Sequence, residues 1–453
     1  MGTPPPFIKN PFFLFCMLLT QKLRIFPSES QRTVLWALAE KCRLLYNFAL
    51  AERIENGKQN RAKPEGKRNY ITYTTQQNQL PETKRNYPEY RWVYSKVLQM
   101  TLRKLDADYK SFWSLRKKGD KNARPPRFKS KKHFTTLCYN QSGFKMGAAD
   151  ITLSHRHPSR VPLSFELPSD LIPPGKVKQV DLFLDLQERW FVSLTYEKET
   201  PAYKDNGFYQ AFDLGVSQTT AVNLHGKSIQ FKHRRADLYW KKKLEEVQSK
   251  RDHCKKYSPR WKGYNKKLVK MKRKQANQLK DYQHWLSRQI INNTRANTLI
   301  IGDLDVKDMA CKKKSTGNAQ KTKARKTLNH SVQNAGFLGR LAEFLTYKAT
   351  MVGKRVIRIG EQRTTKACCQ CGKLKRRAIY ERVIECECGN RIDRDVNSSL
   401  NIMVKFLALK RHGQFEFLSL QPSMNEESFL RSDDWNGFLR HTGLLVVEAG
   451  AHS

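Results

Sequence analysis

The sequence predicts a multidomain chain of mixed α+β and α/β class: an N-terminal region of strands and helices, then a sheet domain interrupted by a zinc ribbon. Three observations carry this expectation. Alternating apolar segments recur from Phe134 to Glu197 and again from Phe208 onward. Apolar residues at helical spacing mark separate stretches in both halves. Two close cysteine pairs, Cys368/Cys371 and Cys386/Cys388, lie about fifteen residues apart, the spacing by which a small tetrahedral zinc site closes. At 453 residues the chain has room for two or three domains, each with its own core.

Charge bounds the partners. The chain carries 85 Lys and Arg against 41 Asp and Glu, a net charge of +44. Such an excess repels itself in a compact state unless a polyanion neutralises it, and a phosphate backbone is the natural one. No sustained amphipathic basic helix points to a membrane surface, so no membrane partner is expected. The 11% aromatic and 39% apolar content argues for a folded protein despite a mean hydropathy of −0.70. Cys42, Cys138, Cys254 and Cys311 have no disulfide-framework spacing, so a reducing cytoplasm is expected, with association to the nucleoid. The apolar run Pro11 to Leu19 is too short to span a membrane. Residues 1–16 are expected to be a non-functional extension with Met17 as the start, a buried strand being the alternative.

In chain order, Lys22 to Phe26 alternates like a strand, and Ser28 or Ser30 can cap a helix with Leu35, Leu38, Cys42, Leu45 and Ala49 on one face. Gly57 to Tyr87 is polar and irregular, and is expected to be an exposed loop. Val93 to Leu115 has helical spacing. The loop Asn122 to Lys132 follows, where Arg124, Arg127, Phe128 and Lys129 combine cations, a stiff Pro-Pro backbone and a ring suited to phosphate and base contacts. The recognition region, residues 17–205, ends near Asp205-Asn206-Gly207. A strand with Asp213, a partner strand Thr219 to Leu224, and two helices broken at Tyr257-Ser258-Pro259 come next. Leu299 to Leu304 is a strand ending in Asp303. The segment Lys312 to Lys326, including Lys312, Lys313 and Lys314, has no acid and suits nucleic acid. A helix from Phe337 and a strand from Lys354 lead into Glu361.

Asp213, Asp303, Glu361 and Asp395 each sit where a strand or helix meets a loop. Hydrolysis of a phosphodiester by two metals needs carboxylates converging on ions about 4 Å apart, and oxygen donors suit Mg²⁺ or Mn²⁺. An RNase H-like sheet supplies acids in this way, although any one of these acids alone reads equally well as a turn or cap residue.

Several motifs resemble the TnpB family, transposon-encoded RNA-guided nucleases related to type V CRISPR effectors. They are FDLG at Phe212 to Gly215, the LIIGDL run, YKATMVGKRV, TTKACCQCG, DRDVNSSLNI at Asp393 to Ile402, Tyr46-Asn47, PPRFK and QPSMNEE. The resemblance implies a wedge- and recognition-like N-terminal region and an RNase H-like RuvC domain over 206–366 and 393–404. It also implies a zinc ribbon over 367–392 and a C-terminal tail over 405–453. A guide RNA from the transposon end and double-stranded DNA beside a short flanking motif are the implied partners, with a monomer favoured.

Asp213 then matches the first catalytic acid and Asp395 the third, with Asp393 structural. The family's commonest pattern has Glu before Asp-Leu, and here that residue is Gly302. A subset carries the acid just ahead of the ribbon, which assigns Glu361, with Asp303 as runner-up and an inactive site as the third possibility. Asp213, Glu361 and Asp395 would bind magnesium. Cys368, Cys371, Cys386 and Cys388 would bind a structural zinc, although Cys386-Glu387-Cys388 is one residue shorter than usual, with Cys369 as the substitute ligand. The alternative function is a nuclease-inactive, RNA-guided DNA-binding protein. No nucleophilic Tyr or Ser motif supports a strand-joining recombinase.

Overall fold

The computed structural model describes residues 15–185, 187–303, 337–377 and 381–411, in two units that part between Glu199 and Thr200. The first unit opens with β1 (Phe15–Arg24), which begins ahead of Met17 and leaves Leu18 exposed, so this part of the apolar run is a strand but not a buried one. Ser28 then starts α1 (Glu29–Arg61) through a capping box: its Oγ accepts from the Gln31 N–H, and the Gln31 side chain accepts from the Ser28 N–H. Leu35, Leu38, Cys42, Leu45 and Ala49 form the buried face as expected.

The expected loop from Gly57 to Tyr87 is a correction. The helix continues to Arg61, and α2 (Tyr73–Asn78) and α3 (Leu80–Asn86) follow. Polar pairing holds this stretch, so no apolar period announces it. Asn60 is buried; its Nδ2 donates to the Asn69 carbonyl at 2.7 Å and its Oδ1 accepts from the Asn69 N–H at 3.1 Å. The Nε2 of buried Gln76 donates to the Ala49 carbonyl at 2.9 Å and to Glu52 at 2.7 Å. After α4 (Ser95–Lys117) come β2 (Leu137–Asn140), β3 (Phe144–Met146), β4 (Asp150–Leu153), β5 (Leu163–Glu166), β6 (Val177–Leu184) and β7 (Trp190–Thr200). They form one sheet ordered β1-β7-β6-β2 and another ordered β3-β4-β5.

The second unit contains β8 (Tyr209–Leu214), β9 (Gln218–Asn223) and β10 (Ser228–Lys232) as an antiparallel meander. The antiparallel hairpin α5 (Ala236–Asp252) and α6 (Pro259–Asn293) follows, with the Ser258 hydroxyl capping α6. Then come β11 (Thr298–Asp303), α7 (Phe337–Thr350), β12 (Arg355–Gly360), β13 (Val383–Glu385), β14 (Arg391–Asp393) and α8 (Arg394–Arg411). The central sheet runs β10-β9-β8-β11-β12, with β11 parallel to both β8 and β12, the strand order of an RNase H-like sheet. Phe212, Leu214, Leu299 and Ile301 pack with α6 and α7 residues on one face. Tyr209, Ala211, Ile300 and Ile359 pack with Leu400, Met403 and Phe406 of α8 on the other. The helix α8 passes the expected boundary at 404 because Phe406 is buried and Leu407 and Leu409 pack beside it.

Replacing Asn60 by Ala strands the Asn69 backbone groups and should destabilise the protein by about 1–3 kcal/mol, measured by denaturant unfolding. Replacing exposed Lys63 in the same stretch should change stability by less than about 0.5 kcal/mol.

Candidate active site and zinc ribbon

Strand periodicity sets which acids share the face that α8 covers. Side chains two apart share a face, so Asp213 shares the α8 face with Tyr209 and Ala211. By the same parity Gly302 follows Ile300 onto that face, and Glu361 follows Ile359. Asp303 falls on the opposite parity, with Leu299 and Ile301. It is exposed, and Arg358 Nη1 lies 3.8 Å from its Oδ1.

Asp395 reaches the same region from the first turn of α8. Asp393 caps that helix: its Oδ1 accepts from the Asp395 N–H at 2.9 Å and the Val396 N–H at 3.1 Å. Asp395 Oδ2 accepts from Gln218 Nε2 at 2.9 Å and lies 3.4 Å from Arg382 Nη1, while its Oδ1 is 3.6 Å from Arg394 Nε. Burial, with the Asp395 charge adding to it, pushes the Asp213 carboxyl up to about 7. Burial also pushes Glu361 up to about 8, and the charges of Asp213 and Asp303 act in the same direction.

Glu361 fills the space that Gly302 leaves. A Cβ built on Gly302 would overlap Oε1, Cδ and Cγ of Glu361 more closely than any real Cβ contact allows. The glycine is therefore what admits this carboxylate to the sheet face. Glu361 Oε1 is buried and has no hydrogen-bond partner among the described residues. A buried, orphaned carboxylate oxygen beside two other acids, all offering hard oxygen donors, fits a divalent cation such as Mg²⁺ or Mn²⁺.

The four ribbon thiols fit zinc. Sγ of Cys368, Cys371, Cys386 and Cys388 all lie within 4.8 Å of one another. Cys368–Cys388 and Cys371–Cys386 are 3.7 and 3.5 Å apart, close to the ~3.8 Å edge of a tetrahedron with Zn–S bonds of ~2.3 Å. The short Cys-Glu-Cys knuckle closes because Gly389, at φ 85°, donates its N–H to the Cys386 carbonyl at 3.0 Å. Cys369 is outside the thiol set; it packs in the core below α8 and receives a hydrogen bond from Asn390 Nδ2 at 3.5 Å.

Among the loop candidates, Arg124, Arg127 and Phe128 are exposed. Lys129 plays another part. Its carbonyl accepts from Arg43 and Asn47, its N–H donates to Asn47 at 2.7 Å, and its ammonium lies 3.8 Å above the Tyr46 ring. It pins the loop to α1. Lys312, Lys313 and Lys314 lie outside the described residues.

Sequence reasoning passed over Gln218, Asn397 and Asn401. Asn397 Oδ1 accepts from the Cys369 N–H at 2.8 Å, and its Nδ2 donates to the Ala367 carbonyl at 2.8 Å. Asn401, one turn on, donates to the Thr364 and Ala367 carbonyls at 2.6 and 2.9 Å. Two Asn spaced i, i+4, on the face of a helix that also carries apolar residues, were the available signal.

Family models match in three places: a helix-turn-helix domain of the OrfB type at residues 17–62, the "Probable transposase" OrfB model at 193–313, and the Cas12f1-like TNB domain at 339–402. The chain is 27% identical over 398 residues to the "Putative RNA-guided DNA endonuclease" of Streptomyces pristinaespiralis, covering 86% of this chain and 90% of that one. It is 25% identical over 406 residues to the protein of the same description, InsQ, of Escherichia coli K12, covering 84% and 90%. Its fold resembles the protein in a Cas12f1–sgRNA–target DNA complex, with a TM-score of 0.56, 11% identity, and coverage of 85% and 98%.

Two predictions follow from this geometry. Cys386→Ser should lose zinc, measured by metal analysis, and unfold at lower temperature, whereas Cys369→Ala should keep its zinc. The second concerns pH. A carboxyl whose folded pKa is raised stabilises the folded state at low pH and loses that contribution as pH rises through the folded value. Without added Mg²⁺ or Mn²⁺ and with the ribbon zinc retained, the thermal midpoint should therefore fall between about pH 5 and 8, and Glu361→Gln should flatten that slope, gaining about 1–3 kcal/mol at pH 8.

Proposed function

As the chain belongs to the OrfB/TnpB family, we propose that it is an RNA-guided DNA endonuclease of transposon origin, acting on duplex DNA beside a short flanking motif. The observation that carries the reading is that the Asp395 charge acts on buried Asp213 and the Asp213 charge acts on buried Glu361, with Asp213 and Glu361 both held far above the usual carboxylate range. These three would hold the divalent ions. Bound Mg²⁺ or Mn²⁺, as a pair, supplies water activation and neutralises charge on the leaving oxygen. Asp213, on the inner strand β8, fixes the centre of the site. Glu361 brings a second carboxylate from the end of β12 into the gap over Gly302. Gln218 and Arg382 hold the Asp395 carboxylate in one orientation.

Sequence selection is delegated to pairing between guide RNA and target, and the basic surface binds backbones whatever their sequence. Work on duplex DNA would bring the protein to the nucleoid. The glycine at 302 favoured a nuclease-inactive reading when taken alone. The Glu361 carboxyl in that space supports an active site instead.

Plasmid cleavage by protein with guide in Mg²⁺ tests the reading. Asp213→Ala, Glu361→Ala and Asp395→Ala should each lower the rate by at least about 100-fold, and Asp303→Ala by less than about 5-fold. Gly302→Ala should lower cleavage by displacing Glu361 while leaving DNA binding intact. Loss of cleavage in Asp303→Ala alone, or full activity in Glu361→Ala, overturns the assignment.

A further inference from the structure

The hairpin α5–α6 and its connecting turn carry seventeen Lys and Arg against five Asp and Glu. At its root, where β10 leads into α5, lies a cleft of about 650 Å³ lined by Arg234, Tyr239, Gln278, Asp281, Tyr282 and Trp285. Aromatic rings are left open there: Trp285 is 55% and Tyr239 60% exposed. The Trp285 ring lies against Tyr282, centroids 5.7 Å apart and planes 29° from parallel. Tyr282 is fixed in turn by its hydroxyl, which donates to the Lys232 carbonyl at 2.8 Å. Across the cleft, Tyr239 stands edge-on to Trp240, whose Nε1 donates to Gln278 Oε1 at 2.7 Å. Lys243 donates to the Tyr239 hydroxyl at 2.7 Å. The Arg235 guanidinium is committed to Asp237 through two bonds of 2.8 Å, whereas Arg234 is exposed.

We infer that this cleft binds an unpaired nucleotide, its base stacked on Trp285 and its phosphate held by Arg234. Every base has a face that stacks on an aromatic ring, so such a platform tolerates sequence. The surrounding cations attract the backbone, and the Asp281 carboxylate can accept from an exocyclic amine. The acids of the sheet face are not part of this cleft. The inference rests on the nucleic-acid partners proposed above, and the nucleotide can come from RNA or from single-stranded DNA.

Iodouracil-substituted poly(U) and poly(dU) serve as the two probes, photocrosslinked to the full chain at a salt concentration that suppresses purely electrostatic binding. Crosslinks to peptides holding Trp285, Tyr282 or Tyr239 are expected with at least one probe, and the reactive probe names the source. Trp285→Ala should abolish them and weaken that probe's binding about 5- to 150-fold, while Trp285→Phe retains most of the affinity. Because the ring is exposed, the thermal midpoint of Trp285→Ala should match the wild type. Unchanged affinity in Trp285→Ala, or crosslinks confined to other segments, overturns the inference. Target cleavage by the same preparation judges the nuclease separately: cleavage without a cleft crosslink sinks only the cleft, and a crosslink without cleavage sinks only the nuclease.

Discussion

Like charges forced together out of water are the constraint on which the second unit is organised. The Asp395 charge acts on Asp213, the charges of Asp213 and Asp303 act on Glu361, and burial strips away the water that would screen Asp213 and Glu361. Nothing in such an arrangement is locally favourable. It persists because a sheet fixes Asp213 and a buried helix fixes Asp395, and because Gly302 leaves no side chain to compete with Glu361. Strain of this kind, held by rigid surroundings, is the usual signature of a site that a ligand completes.

The zinc ribbon belongs to this arrangement. Glu361 leaves β12 and enters a turn in which its carbonyl accepts from the N–H and the hydroxyl of Thr364. The Thr364 carbonyl is bound by Asn401 of α8, and the Ala367 carbonyl by both Asn397 and Asn401. The cysteine cluster begins one residue later, at Cys368. A single helix thus carries one acid on its first turn and, on its next turns, the amides that tie down the loop bearing another. Cysteines and carboxylates remain separate, and what joins the loop after Glu361 to α8 is a set of Asn amides.

Much of this was legible in the residues. The cysteine spacing announced the ribbon, Ser28 and Ser258 announced helix starts, and the apolar alternation around Asp213 announced its strand. What resisted was structure held by polar groups. Residues 57–87 present no apolar period because Asn60 and Gln76 do the holding, and a buried amide looks like any loop amide until its partner is known. The preference for Glu361 over Asp303 rests on the alternation of a strand, which sets Gly302 and Asp303 on opposite faces. That alternation becomes decisive once the face covered by α8 is known, and this is a tertiary fact.

The chain therefore holds two electrostatic excesses of opposite sign, and the same physics links them. A chain with a net charge of +44 repels itself unless a polyanion such as a phosphate backbone neutralises it. Inside, burial and neighbouring negative charge together push the carboxyls of Asp213 and Glu361 up. Each excess disfavours the ligand-free fold, so each ligand stabilises the folded state it binds. Nucleic acid brought to the basic surface also carries negative charge toward the carboxylates, raising their need for cations. Occupation of the acidic site and docking of the substrate backbone should accordingly favour one another, a coupling that follows from the signs of the charges alone.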